Sequence, residues 1–169
     1  IVDEENQPVP PGTVGLLCFH RSNVVAGYWQ RPGLLEESCF ELDGEPYFNT
    51  GDLAMIDEDG YVYLKGRKKE LIIVGGENVY APEVEHAILT HEDVLEVAVV
   101  GVEATGASAY LGELVKAVVV PQPGRELTEL DIKRHCAQRL TGYKVPTIVE
   151  FRRSLPRNPG GKVLKRELK

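Results

Sequence analysis

Residues 66–91, GRKKELIIVGGENVYAPEVEHAILTH, decide the fold. A run of cations leads into Leu71–Val74, an apolar run of strand length that ends at two glycines. Gly75 and Gly76 permit a tight reversal at positive φ, so the chain returns through Glu77–Tyr80 as a second short strand. Pro82 suits the first turn of a helix, where its missing N–H is not needed. In that helix Val84, Ala87, Ile88 and His91 share one face, and Glu83 and Glu85 lie near the positive end. Two short strands feeding a helix indicate a mixed α+β unit rather than a bundle or a barrel.

Further along, VLEVAVVGV (94–102) and ELVKAVVV (113–120) read as strands, separated from the next element by the turn PQPG. Thr128 can cap a helix over ELDIKRHCAQRL, with Leu130, Cys136, Ala137 and Leu140 as its apolar positions. TIVEF (147–151) supplies a last strand, and the stretch from Val163 has weak helical character. The order is β-β-α-β-β-α-β, a small α+β domain over residues 67–169. Before it, TVGLLCF and VVAGYW are short β-rich runs. Leu53–Ile56 and Tyr61–Leu64 flank residues 57–60, where Asp59-Gly60 is a hairpin signal. Residues 1–66 are therefore expected to be an antiparallel β segment, with the boundary inside Gly66–Glu70.

With 43% hydrophobic and 27% charged residues, the 169-residue chain has ordinary globular composition and enough apolar material for a core. No apolar run approaches the roughly 18 residues needed to span a bilayer. The net charge of −7 argues against a nucleic-acid partner. That charge is uneven: residues 141–169 carry 8 basic and 2 acidic side chains, which makes either a solvated end or a surface that meets a polyanion. Cys18, Cys39 and Cys136 are scattered, and His20, His86, His91 and His135 have no metal spacing. Reduced thiols in a cytoplasmic protein, with no bound metal, is the plain expectation. The opening IVDEENQPVPPG, with Ile first, reads like the middle of a longer protein.

Four motifs have polar chemistry. In NTGD (49–52), Asp52 follows a glycine; it either caps a turn or accepts hydrogen bonds from two vicinal hydroxyls of a ribose. In GRKKE (66–70), Arg67 either belongs to a solvated linker or holds a ribose or phosphate with its planar fork. VGGEN (74–78) is a turn that also allows close approach of a ligand to the backbone. NPGGK (158–162) fails as a phosphate loop, because Val163 stands where Ser or Thr is required.

In their order these motifs are more specific than alone. GYWQRP (27–32), YFNTGDLAMIDEDGYVYLKGRKKELIIVGGENVYAPEVE (47–85) and RNPGGKVLKREL (157–168) together resemble the C-terminal portion of the adenylate-forming acyl-CoA synthetases. That superfamily also includes peptide-synthetase adenylation domains and firefly luciferase. The resemblance implies a two-step ligase: a carboxylic acid and Mg-ATP give an acyl-adenylate, and the thiol of CoA then displaces AMP. It implies that Asp52 and Arg67 bind ATP or AMP, that Lys69 is the hinge, and that Lys162 is the adenylation lysine. Gly75, Gly76, Glu77 and Asn78 would form the loop that enters the active site for the thioester step. Gly160 and Gly161 would let Lys162 swing as an arm.

The resemblance also implies a partner, the N-terminal domain carrying the phosphate loop, the acyl pocket and the Mg2+ glutamate. No counterpart of these is found in this sequence, so ATP, Mg2+ and CoA are not expected to bind tightly and the chain alone should be inactive. A non-catalytic CoA- or partner-binding module, or a ligase using the pantetheine thiol of a carrier protein, are the alternatives. The chain departs from the family pattern at Gly15-Leu16-Leu17, at the position of Pro82, and in residues 102–113. That last stretch is longer than usual and is expected to be a surface loop.

Overall fold

A computed structural model describes all residues, 1–169. The chain divides into two compact units, Ile1–Lys69 and Glu70–Lys169. The division falls after Lys69 rather than after Gly66, because Arg67 is still a strand residue paired with Asp52.

The first unit is an antiparallel sheet built around one long strand. Strand β3 (Glu45–Ile56) pairs with β1 (Gly15–His20), β2 (Cys39–Leu42) and β4 (Val62–Arg67). The hairpin from β3 to β4 turns where Asp59-Gly60 indicates: Gly60 has φ +86°, and the Asp57 carboxylate accepts the N–H groups of Asp59 and Tyr61. Those bonds hold the Asp57 carboxyl below its usual range. VVAGYW is not a strand. The Arg21 guanidinium donates to the carbonyls of Val25 and Ala26, occupying the groups a neighbouring strand would need. Trp29 is left 88% exposed.

The second unit follows the expected order. Hairpin β5 (Ile72–Val74) and β6 (Glu77–Val79) leads into helix α1 (Ala81–Leu89), strands β7 (Val94–Glu103) and β8 (Glu113–Pro121), helix α2 (Glu129–Ala137) and strand β9 (Ile148–Phe151). β7 and β8 are antiparallel, and β9 adds to β8 in parallel. Alternation along the strands gives the three-stranded sheet two buried faces. On one face Val99, Val115, Ala117 and Val119 pack with Ile72, Val79, Val84, Ile88, Ile132 and Cys136 of the hairpin and helices. On the other Ala98, Val100, Val118 and Val120 pack with Leu155, Val163 and Leu168 of the final segment.

Thr128 caps α2 in a capping box: its side chain accepts the Asp131 N–H while the Asp131 carboxylate accepts the Thr128 N–H. The buried residues of α2 are Ile132 and Cys136; Leu130 is 60% exposed and Ala137 is exposed as well. The reading of that face is corrected by the cap, which starts the helix so that Ile132 faces the sheet and Leu130 faces solvent. His91 lies beyond the end of α1, which closes at Leu89. Beyond Val163 the helical tendency amounts to one 3-10 turn, Lys165–Glu167.

Residues 102–113 are not merely a surface loop. β7 continues to Glu103, a 3-10 helix occupies Gly106–Leu111, and Leu111 packs against the main core.

Candidate functional site

In the first unit, Asn49-Thr50-Gly51-Asp52 braces itself. The Asn49 side chain accepts the Gly51 N–H at 2.8 Å. The Thr50 hydroxyl donates to the Leu17 carbonyl at 2.9 Å and accepts the Asp52 N–H at 3.1 Å. Gly51 stands at φ +74°, which an L residue rarely adopts. Register shifts in β1 and between Leu53 and Ala54 re-aim the strand here. The outcome is a carboxylate fixed opposite Arg67, whose Nε lies 2.7 Å from Asp52 Oδ1. The pair is part-exposed, so it contributes little to stability. The contact uses one carboxylate oxygen and the guanidinium Nε, which keeps an acceptor and a donor set beside each other on the two strands. Lys69 is exposed within the 3-10 turn Lys68–Glu70, at the end of the unit.

In the second unit, Gly75 and Gly76 have φ +59° and +88°, the signature of a two-residue reversal that matches strand twist. Glu77 and Asn78 follow on the exposed limb of the hairpin. Behind them Tyr80 is half-buried, and burial pushes its phenol up. Lys162 is carried by a different device. Residues 157–163 close a turn: Arg157 bridges to Val163, the Asn158 side chain accepts the Lys162 N–H at 2.9 Å, and the Lys162 carbonyl accepts the Asn158 N–H at 2.9 Å. Arg157 also donates to the Gly161 carbonyl and pairs with Glu96 of β7. Lys162 therefore projects from a closed turn rather than from a free arm. Its side chain is exposed and its ammonium makes no ion pair.

Beyond the turn, Lys165 reaches Glu85 of α1 at 2.7 Å and Glu70 at 3.3 Å, with all three side chains mostly buried. Glu85 in turn accepts the Val99 N–H on the outer edge of β7, which covers that edge. Sequence reasoning missed this cluster and missed Arg157. No local periodicity announces partners so far apart in the chain.

The candidate residues thus fall into three groups. Asp52 and Arg67 are brought together on β3 and β4 of the first unit. The Gly75–Asn78 turn belongs to the hairpin on one face of the β7–β8–β9 sheet, and the Lys162 turn continues the segment packed on the other face. No group of three or more His, Cys, Asp or Glu residues is arranged to hold a metal ion, and no helix is long and apolar enough to cross a membrane.

Residues 83–162 match the family of the AMP-binding enzyme C-terminal domain. Over its full length the chain is 44% identical to a long-chain-fatty-acid–CoA ligase of Escherichia coli O6:H1, spanning 28% of that protein. It is 38% identical to the fatty acid–[acyl-carrier-protein] ligase ScoC of Streptomyces coeruleorubidus, spanning 31% of it. Among solved structures, o-succinylbenzoate CoA synthetase (MenE) of Bacillus subtilis, in complex with the acyl-adenylate intermediate OSB-AMP, superposes with a TM-score of 0.86 at 32% identity. That match covers 99% of this chain and 33% of the synthetase. The chain therefore spans about a third or less of the relatives it matches.

Proposed function

We propose that the chain, whose residues 83–162 match the AMP-binding enzyme C-terminal domain, works as that part of an ATP-dependent acyl-CoA synthetase. In the first step a carboxylate oxygen attacks the α-phosphorus of ATP, and pyrophosphate leaves. In the second a thiolate attacks the acyl carbon, forming the thioester as AMP leaves. Asp52 and Arg67 bind the ribose and phosphate side of the nucleotide, one by accepting hydroxyl protons and the other by donating from its fork. Lys162 stabilises the negative charge that builds on phosphate oxygens during adenylation. Lys69 is the hinge about which the second unit turns, and Gly75–Asn78 serve the thioester step. The remaining contacts to ATP, Mg2+ and the acyl group come from a further, N-terminal domain. Mg2+ enters with the nucleotide, and none of this chain's residues is assigned to it. A cytoplasmic setting accords with the free cysteines.

One observation carries this reading. The Lys162 segment and the Gly75–Asn78 hairpin pack against opposite faces of one three-stranded sheet. A rigid unit built that way cannot offer both to the same reacting atoms in a single orientation. Two successive orientations, one for each half-reaction, resolve the geometry.

The experiment replaces Lys162 by Ala in a polypeptide that also carries the nucleotide-binding segments. Adenylate formation should fall about a hundredfold or more, the scale of losing one charge-stabilising group. Thioester formation from supplied acyl-adenylate should change by no more than a few-fold. Equal loss in both half-reactions would refute the role given to Lys162. The ScoC relative favours a second acceptor, the thiol of an acyl-carrier protein. Supplying CoA and a loaded carrier protein in parallel separates the two.

A further inference from the structure

Strand β5 is short, and its free edge faces residues 111–113. The Gly75 N–H donates to the Leu111 carbonyl at 2.8 Å, and Val74 and Gly112 form an isolated antiparallel bridge. One position further back, the Ile73 N–H donates to Glu113 Oε2 at 2.9 Å. The end of the 104–113 segment therefore acts as a third strand for the hairpin, and a side-chain carboxylate supplies one rung of the ladder. Neighbouring positions are fitted to this arrangement. A Cβ on Gly101 would lie 2.6 Å from Glu113 Oε1 and 3.1 Å from Ile72 Cγ2, so a larger residue there would shift the carboxylate and crowd β5. A Cβ on Gly75 would lie 3.2 Å from Leu111 Cδ2. Gly112 holds φ +75° where the chain turns into β8. The Ala104 N–H donates to the Gly112 carbonyl at 2.9 Å and closes the base of the loop.

Glu113 stands directly opposite Glu103 in the β7–β8 ladder. Like charges facing each other across a strand pair are unfavourable, so the cross-strand partner does not account for Glu113. Its carboxylate gains by accepting the N–H of a strand outside that ladder.

We propose that the 104–113 segment is a clamp that positions the Gly75–Gly76 turn, with Glu113 and the Leu111 carbonyl as its two attachment points. Glu113 is thereby a positioning residue for the chemistry the turn serves. A hairpin of two three-residue strands is too small to hold its own geometry, and the clamp supplies the missing neighbour. The part assigned to catalysis rests on the reading that Gly75–Asn78 serve the thioester step. The part assigned to the turn's order does not.

The test has two arms. In the 169-residue chain, amide hydrogen exchange is measured at Ile73 and Gly75. Glu113→Ala should raise both rates roughly tenfold or more, the scale of losing a hydrogen bond to a charged acceptor. Glu113→Gln keeps an acceptor oxygen and should restore them to within a few-fold. Gly101→Ala, whose Cβ would displace the carboxylate and press on Ile72, should raise both rates as well and covers the case that Glu113→Ala folds poorly. Unchanged exchange in both variants overturns the clamp.

In the longer polypeptide, Glu113→Ala should slow thioester formation from supplied acyl-adenylate about tenfold while adenylate formation stays within about twofold, a split that general destabilisation would not give. Gly76→Pro is the reference variant, since proline cannot adopt φ +88°. Loss of thioester formation in Gly76→Pro but not in Glu113→Ala overturns Glu113 as a positioning residue. Loss in neither overturns the thioester role of the turn itself.

Discussion

Replacing Lys165 by Met removes a charge and keeps most of an aliphatic side chain. The ammonium lies 2.7 Å from Glu85 and 3.3 Å from Glu70, and the three side chains are 22%, 21% and 28% exposed. That places the cluster between two regimes. Exposed pairs are worth about 0.2–1 kcal/mol, whereas stripping one partner from a buried pair costs about 3–5 kcal/mol. About 1–2 kcal/mol is expected here, because the two carboxylates left behind repel each other yet still reach some water. A double-mutant cycle isolates the pairs. Glu85→Gln keeps the oxygen that accepts the Val99 N–H, so it tests charge alone. Coupling of Lys165 to Glu85 should exceed coupling to Glu70, following the shorter distance.

The readout must report the second unit. Trp29, the one tryptophan, lies in the first unit and would miss the transition. Both α-helices lie in the second, so urea unfolding followed by helical circular dichroism is the right assay. A midpoint lowered by about 1 M fits the expected loss. Coupling below about 0.3 kcal/mol for both pairs would refute the idea that Lys165 fastens the final segment by charge, because that is within the additivity of independent sites.

Two further outcomes follow from the same unit. Burial, and then the Arg139 charge, hold the His135 imidazole below its ordinary pKa, where its Nε2 contacts the Thr90 hydroxyl at 2.8 Å and its ring lies 4.9 Å from that of His91. A depressed histidine pKa means the unfolded chain takes up the proton first. Its contribution is present above the unfolded pKa of about 6.5 and is lost as pH falls through the folded value; His135→Gln should flatten the loss of stability on acidification from pH ~7 to ~5. Cys136 is fully buried and its thiol is pushed up to about 11, chiefly by burial. A thiol-specific alkylating reagent near neutral pH should therefore modify Cys18 and Cys39 well before Cys136, and reaction of Cys136 should track opening of the second unit. Equal rates at all three cysteines would contradict the packing of α2.

The legible parts of this fold are those dictated within a few residues. Asp59-Gly60 and Gly75-Gly76 mark hairpins because positive φ is a local demand, and Thr128 marks a helix start because a cap is satisfied three residues on. The illegible parts need a partner that no nearby residue names. VVAGYW has the residue types of a strand, but strand formation needs a free neighbour, and Arg21 takes its carbonyls first. Leu130 outranks Ile132 in no physical sense; only the phase set by the cap decides which of them meets the sheet.

The same division runs through the candidate site. Asp52, Arg67, Gly75–Asn78 and Lys162 are legible as motifs, and the structure adds what fixes each of them: the Asn49 and Thr50 braces, the Leu111–Glu113 edge, and the Asn158 and Arg157 closure. This changes the account of Lys162 most. Two glycines before a lysine suggest a loose arm, yet Gly161 spends its positive φ on a closed turn, and Leu168 is fully buried just beyond. If Lys162 serves adenylation as proposed, a cation on so closed a turn is delivered by movement of its whole support. On the function proposed above, the freedom lies at Lys69, the proposed hinge, and not in the glycines beside the charge.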